Sequence, residues 1–439
     1  MNQVSMKQAF LYWLKLGFIS FGGPAGQIAV MHQELVVEKR WISEQRFLNA
    51  LNLCMLLPGP EAQQLAIYIG WLLHKRLGGV IAGVLFVLPS FFMLLGLGWI
   101  YMLYGNTPLM LSIFNGIKPA VVAIVIFAAY RIGARTLKHP SLICLAALSF
   151  VGMTVFKLPF PLILLLAAFS GWILSHWIPH AFKTSPHKSQ KSAQHLSAII
   201  DDDTPIPEHA KYQFMRLLKT TAWSILIGLA VMYPLVLNFG FTHILSQTAL
   251  FFTKVAFLTF GGAYAVLPYV YQGVVEHYHW VSPGQMMDGL ALGETTPGPL
   301  IMIITFISFV SGWANHALTD IPLWLSGIAV ASVATFFTFL PSFMMIFAGA
   351  PLIETSRHQP KLSAPLTAIT AAVVGVILNL AYFLAYHTLW QIDTQQFNFV
   401  AILIALIALV ALTRFKVNSL LLIIASGFTS YLLNYLKVF

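Results

Sequence analysis

The stretch KLGFISFGGP at residues 15–24 is written again as KVAFLTFGGA at residues 254–263. The same offset of 239 carries Trp41 to Trp280, Ser43 to Ser282, and Pro58-Gly59-Pro60 to Pro297-Gly298-Pro299. Further on, an offset of 252 relates Pro89-Ser90-Phe91 to Pro341-Ser342-Phe343, Ala120-Val121-Val122 to Ala372-Val373-Val374, and Tyr130 to Tyr382. The chain is an internal duplication of halves of roughly 180 residues, a pattern of secondary transporters whose site lies between the repeats.

Composition fixes the solvent. Apolar residues make up 58% and charged residues 9%, with a mean hydropathy of +0.80. A soluble domain carries about 25% charged residues, so this chain cannot cover a water-facing surface. Apolar runs recur at 79–104, 110–130, 160–178, 222–239, 323–349, 365–386, 397–413 and 418–436, near the ~17–25 residues that a crossing helix needs. Strand-type alternation is absent, so the expected fold is an all-α polytopic membrane protein. The net charge of +10 is spread over loop ends and suits lipid headgroups better than nucleic acid. The N-terminal stretch has no small-residue cleavage site.

The order of segments implies inversion. An N-terminal repeat (1–179) is followed by a hydrophilic linker (180–221), which reads as soluble and poorly ordered. An extra crossing helix at 222–239, with no counterpart in the first half, leads to a C-terminal repeat (240–439) that starts from the other side. Charges agree. First-half loops carry Lys39, Arg40, Arg46, Lys75, Arg76, Arg131, Arg135 and Lys138, while the matching second-half loops carry no Lys or Arg. Arg357 and Lys361 answer the bare first-half loop around Tyr104–Pro108. Basic loops face the cytoplasm, which puts the N-terminus and linker inside and the C-terminus outside. Lys118, Lys157 and Lys437 fit this scheme less well.

Each half opens with two interrupted apolar segments, at Gly22-Gly23-Pro24 and Pro58-Gly59-Pro60, then at Gly261-Gly262 and Pro297-Gly298-Pro299. Proline and glycine break a helix in mid-membrane, and irregular backbone survives there only inside protein or beside a hydrated cavity. Each break starts a new half-helix whose free N–H groups and positive dipole end form an anion site without a fixed cation. The alternative is that the breaks are packing kinks; four matched breaks favour the site. The candidate binding set is Gly22, Gly23, Pro24, Gln27, Pro58, Gly59, Pro60, Gly261, Gly262, Pro297, Gly298 and Pro299. The segments flanking the breaks are either spanning pairs or re-entrant hairpins.

Glu61 and Glu294 adjoin the breaks and are candidate proton carriers, although Glu61 suits a helix-start cap equally well. Lys15 and Lys254 occupy matching positions and either attract an anion or snorkel to headgroups. The Glu276-His277-Tyr278-His279 run and the Asp201-Asp202-Asp203 triplet lack metal-ligand spacing, and Cys54 and Cys144 form no disulfide framework. No nucleotide-binding motif, catalytic triad or redox pair is present, so neither a cofactor nor an enzyme activity is expected. A homo-oligomer is compatible with the sequence.

At these residues the chain resembles the chromate ion transporter family in its long, two-domain form. The motifs that carry the resemblance run from Phe21 through Ile28 and Arg40-Trp41-Ile42 to Leu57-Pro58-Gly59-Pro60-Glu61-Ala62. In the second half they are Phe260-Gly261-Gly262-Ala263-Tyr264 and Glu294-Thr295-Thr296-Pro297-Gly298-Pro299. Ala263 replaces the first half's Pro24 and leaves that half-helix start less defined. The resemblance implies a multi-pass protein of the bacterial inner membrane that exports chromate and confers resistance to it. Sulfate, a tetrahedral dianion of similar size, is the alternative substrate, and an anion channel the alternative mechanism.

Overall fold

A computed structural model describes residues 4–178, 198–202, 204–205, 207–355, 363–391 and 396–435. Most of the linker, Arg357, Lys361, Asp203 and the C-terminal 436–439 lie outside the described residues, and so do the expectations resting on them.

The first half begins with helix α1 (Met6–Ile19), whose N-terminus is closed by a capping box between Ser5 and Gln8. The chain breaks at Ser20–Gly22 and returns as α2 (Gly23–His32), continued by a π-helical turn, Gln33–Glu38. Lys15 Nζ lies 2.8 Å from Glu34, and the Tyr12 and Trp41 rings meet edge to face at 5.2 Å. The two arms are therefore antiparallel, and the break is the apex of a re-entrant hairpin.

Helix α3 (Glu44–Leu56), capped by the Ser43 hydroxyl, runs in to the second break, Leu57–Pro60. Helix α4 (Glu61–Tyr104) leaves it and doubles back at His74–Lys75, where Lys75 adopts φ 55°. A Cβ on Gly70 would stand 2.6 Å from that of Ala82, so small residues let the two arms of α4 lie side by side. His74 Nε2 meets the Val4 carbonyl at 2.8 Å. Val4, the 40–43 hairpin tip and the α4 turn thus share one face, here called the N-terminal face.

From that turn the second arm of α4 crosses the membrane, α5 (Pro108–Thr136) crosses back, and α6 (Pro140–Thr154) and α7 (Phe160–Trp177) form a final hairpin. Described linker residues, among them Ile200 and His209, dock on the N-terminal face. Ile200 bridges to Ile42, the Ser43 N–H donates to the Ile200 carbonyl at 2.9 Å, and His209 Nε2 meets the Trp71 carbonyl at 3.0 Å. This part of the linker is not the loose tether its composition suggests, because Ile200 and Ala210 are buried.

Helix α8 (Phe214–Phe239) then crosses alone, and the second half repeats the pattern from the opposite face. It runs α9 (Ile244–Leu258), break, α10 (Ala263–Tyr271) with a π turn, α11 (Pro283–Thr295), break, α12 (Ile303–Ala314), α13 (Leu323–Thr355), α14 (Ser363–Leu389), α15 (Phe399–Thr413) and α16 (Ser419–Tyr435). A two-residue β-hairpin (β1 Trp390–Gln391, β2 Gln396–Phe397) follows α14. Six of these helices are long and apolar enough to cross a membrane, and five more are shorter and apolar.

The tip of the second re-entrant hairpin meets the α12–α13 loop, with Asn315 Nδ2 donating to the Trp280 carbonyl at 3.0 Å. At the far end of the chain, Ser430 Oγ donates to the carbonyl of Ser112, near the start of α5, at 2.7 Å. The described C-terminal turn therefore lies on the face opposite Val4, and the fold is an inverted repeat. The change of offset from 239 to 252 is also explained. Where α4 turns within His74–Lys75, the second half inserts 252 − 239 = 13 residues, in and just after the loop that joins α12 to α13.

The halves interlock. Helix α14 packs on α6 and α7 of the first half, and α5 packs on α15 and α16 of the second. Gly375 lies against the Ala146 backbone and Gly116 against that of Ser426, the close approach by which helices associate in lipid. Lys118 needs no loop. It sits within α5, its Nζ 3.4 Å from Asp288 Oδ1 on α11, while the Tyr101 hydroxyl donates to Asp288 Oδ2 at 2.9 Å. This pair, buried at Asp288 and partly exposed at Lys118, joins the two halves.

Candidate functional site

The four breaks meet at the interface between the halves, and each Pro-Gly-Pro apex is pinned by the other half. The Gly59 N–H donates to the Thr259 carbonyl and the Gly298 N–H to the Ser20 carbonyl, both at 2.8 Å. Gly59 pairs with Gly298 and Ser20 with Thr259 under the same offset of 239, so the two bonds are related by the pseudo-twofold axis of the repeat.

Glycine is required at both apices. Gly59 has φ +130° and Gly298 φ +95°, a region that L side chains rarely occupy. A Cβ at Gly59 would also stand 2.6 Å from Ser342 Oγ, and one at Gly298 2.9 Å from Ser90 Cβ. The apex of each half is thus pressed against the Pro-Ser-Phe turn of the other half's long helix.

Polar groups gather around this crossing. Gln27 Nε2 donates to the Gly298 carbonyl at 2.5 Å and to the Ser20 carbonyl at 3.3 Å, and Gln64 Nε2 donates to the Pro58 carbonyl at 2.7 Å. Left over and buried without a partner are Oε1 of Gln27, Gln63 and Gln64 and the hydroxyls of Ser90 and Ser342. Stranded polar atoms at that depth are costly. Two of them, the serine hydroxyls, are donors aimed at the crossing.

The half-helix starts are where the breaks direct them. Pro24 occupies the first turn of α2, Pro60 caps α4 and Pro299 caps the 3-10 turn Leu300–Met302 that leads into α12. First-turn N–H groups of a helix have no acceptor within it. The glycine N–H groups of the two apices, by contrast, are engaged across the interface. The protein therefore engages the Gly59 and Gly298 amides itself and leaves the serine hydroxyls unpartnered.

The two carboxylates differ. Glu61 is the first residue of α4, and its Oε1 stands 4.0 Å from the position of a Cβ on Gly262, the cap of α10. Its charge therefore lies at the positive ends of two half-helices, one from each half. Glu294, at the end of α11, accepts from the Tyr264 hydroxyl of α10, with Arg131 of α5 acting on it electrostatically. Lys15 is engaged by Glu34, which Lys39 also approaches at 3.5 Å. Lys254 is exposed.

Sequence reasoning passed over Ser90, Ser342, Arg131 and the role of Tyr264. For the serines the signal was present, because Pro-Ser-Phe is one of the repeated triplets. Nothing local marks Arg131, which comes from a distant helix. Among the described residues no group of three His, Cys, Asp or Glu could hold a metal ion.

Interlocked inverted halves with four broken helices meeting at a polar interface define a polytopic helical membrane protein built from a repeat. The profile described as Chromate transporter matches residues 7–172 and 246–431, once in each half, and the chain belongs to that family. A chromate transport protein of Cupriavidus metallidurans is 30% identical over 96% of this chain and 92% of its own length. One from Pseudomonas aeruginosa is 29% identical over 98% and 92%. The uncharacterized transporter YwrA of Bacillus subtilis is 29% identical over only 36% of this chain but 91% of itself, so its length corresponds to about one half. No solved structure matches.

Proposed function

We propose that the protein is a secondary transporter that moves chromate, a tetrahedral oxyanion, out of the cytoplasm, and that it is not an enzyme. The observation that carries this reading is the crossing of the breaks, where half-helix starts from both halves and two buried serine hydroxyls converge. Such a place favours an anion whose charge is spread over several oxygens. The relatives named for chromate transport supply the substrate.

Direction follows from charge. With the basic N-terminal face in the cytoplasm of a bacterial inner membrane, an inside-negative potential favours expulsion of a dianion by about 4.6 kcal/mol per 100 mV. Glu61 supplies a coupling device. Its carboxylate stands where the substrate's charge must go, so a dianion enters only when Glu61 is protonated or displaced. Glu294 is held by Tyr264 beside Arg131 as a second proton acceptor. Alternating access proceeds by rocking one half against the other about the crossing.

Purified protein in proteoliposomes tests this reading. Labelled chromate should enter saturably, sulfate should compete as a related tetrahedral dianion, and chloride should not. Uptake indifferent to both oxyanions, or a flux too fast for a carrier, would remove the proposal in favour of a channel or another substrate.

A further inference from the structure

We propose that the cleft bounded by α4, α8 and α13 is a binding site for one anionic phospholipid, with its phosphate on Arg76 and an acyl chain laid along α8. This goes beyond oxyanion transport, and neither its argument nor its test depends on the transported substrate.

The cleft has a volume of about 510 Å³ and is walled by Val84, Phe91, Trp223, Ile227, Phe339 and Phe343. Along α4 it extends from Arg76 to Phe91, about 22 Å at ~1.5 Å per residue. The hydrocarbon core of a bilayer is about 30 Å thick, so the cleft is deep enough for one extended chain entering from the N-terminal face. Its walls are predominantly apolar, as an acyl chain requires and an inorganic anion does not; the polar exceptions beyond the mouth are Gln63, Ser224, Ser332 and Thr335.

The mouth has the complementary head. Arg76 sits just past the α4 turn, at the level of the interface, and donates to the Thr220 hydroxyl at 2.6 Å. Among the described residues no carboxylate pairs with it. Lys75 precedes it, and Lys219 precedes its partner on α8. A basic cluster at a membrane surface attracts anionic headgroups, and a guanidinium binds a phosphate in bidentate fashion.

Helix α8 shows why a lipid belongs there. It is 26 residues long, and Thr220 is its one buried residue. The helix that reverses the second half rests on α13 at Gly228, which faces Leu340, and on the α9 side at Leu235, but between Thr220 and Ile227 its side toward α4 borders the cleft. A chain filling the gap completes the packing between α8 and the α4–α13 pair.

Native mass spectrometry of the full-length protein in mild detergent tests the proposal, using phosphatidylglycerol and phosphatidylcholine as probes. Wild type should retain one phosphatidylglycerol in preference to phosphatidylcholine by about five-fold, the selectivity of one basic side chain at an anionic surface. Arg76→Gln should bring the two lipids to parity, while Lys138→Gln, an exposed cation on the same face, should leave the preference unchanged. Ser224→Trp, which fills the cleft from α8, should expel both lipids. If that variant does not fold, Val84→Phe fills the same space from α4. Equal retention of both lipids by wild type, or an unchanged preference in Arg76→Gln, would overturn the site. A thermal shift from inorganic phosphate equal to that from phosphatidylglycerol would overturn the lipid as its occupant.

Discussion

At the scale of single residues, the apices separate two kinds of glycine. Gly22 has φ +86°, and a Cβ there would find its nearest neighbour 4.0 Å away, whereas at Gly59 it would collide with Gln64 and Ser342. Gly22→Ala should therefore cost about 1–2 kcal/mol of backbone strain and leave a folded protein. Gly59→Ala adds to the same kind of backbone strain the displacement of the Gln64 amide and the Ser342 hydroxyl of the other half, and should lower the unfolding temperature in detergent further than Gly22→Ala. The larger Gly59→Leu and Gly298→Leu changes cannot report on an anion site, since they disrupt the interface first. Equal stability of Gly22→Ala and Gly59→Ala would contradict the close packing of the halves.

The carboxylates give a second prediction at this scale. Glu61→Gln keeps size and hydrogen bonding but carries neither charge nor titration. If Glu61 excludes the dianion when ionised, the variant should bind oxyanion at alkaline pH, where wild type binds weakly, and the pH profile of transport should flatten. A cap alone behaves differently: its loss costs about 0.3–1 kcal/mol, and the pH profile keeps its shape. Glu294→Gln and the double variant complete the comparison, with initial rates measured across a pH series.

At the scale of elements, the pair of Lys118 on α5 and Asp288 on α11 ties the halves together within the membrane. Asp288→Asn leaves Lys118 without its counter-charge. Removing one partner of a buried pair costs about 3–5 kcal/mol, and the partial exposure of Lys118 places the expected loss at about 2–3 kcal/mol. Adding Lys118→Met should restore much of it, as read from thermal unfolding in detergent; a double variant no more stable than the single one would contradict the pairing.

The same pair shows what the sequence could and could not tell. Lys118 looked like a misplaced loop charge because its partner lies 170 positions away in the chain. The breaks were legible because proline and glycine act locally. Whether they were hairpins was not, since that depends on contacts such as Lys15 with Glu34 and Tyr12 with Trp41. The cross-half bonds of Gly59 and Gly298 were equally hidden. Their glycine N–H groups looked free for an anion because only the assembled halves reveal the carbonyls that take them.

At the scale of the molecule, inversion rests on the lone helix α8 between two repeats of like parity. Single-cysteine labelling on a background lacking Cys54 and Cys144 should find position 202, which is exposed, and the described C-terminal turn on opposite sides of the membrane. Labelling from the same side would contradict the inverted repeat. The interlocked packing of α5 and α14 on the other half's terminal hairpins further implies that neither half is stable alone in this chain. Separately expressed halves should remain associated through purification.

Everted membrane vesicles test the central claim most directly, since they present the cytoplasmic face to the medium. Vesicles containing the protein should accumulate labelled chromate above those from cells lacking it, sulfate should reduce that accumulation, and Glu61→Gln should change its dependence on pH. Accumulation no greater than in vesicles without the protein, with uptake instead by right-side-out vesicles, would contradict export.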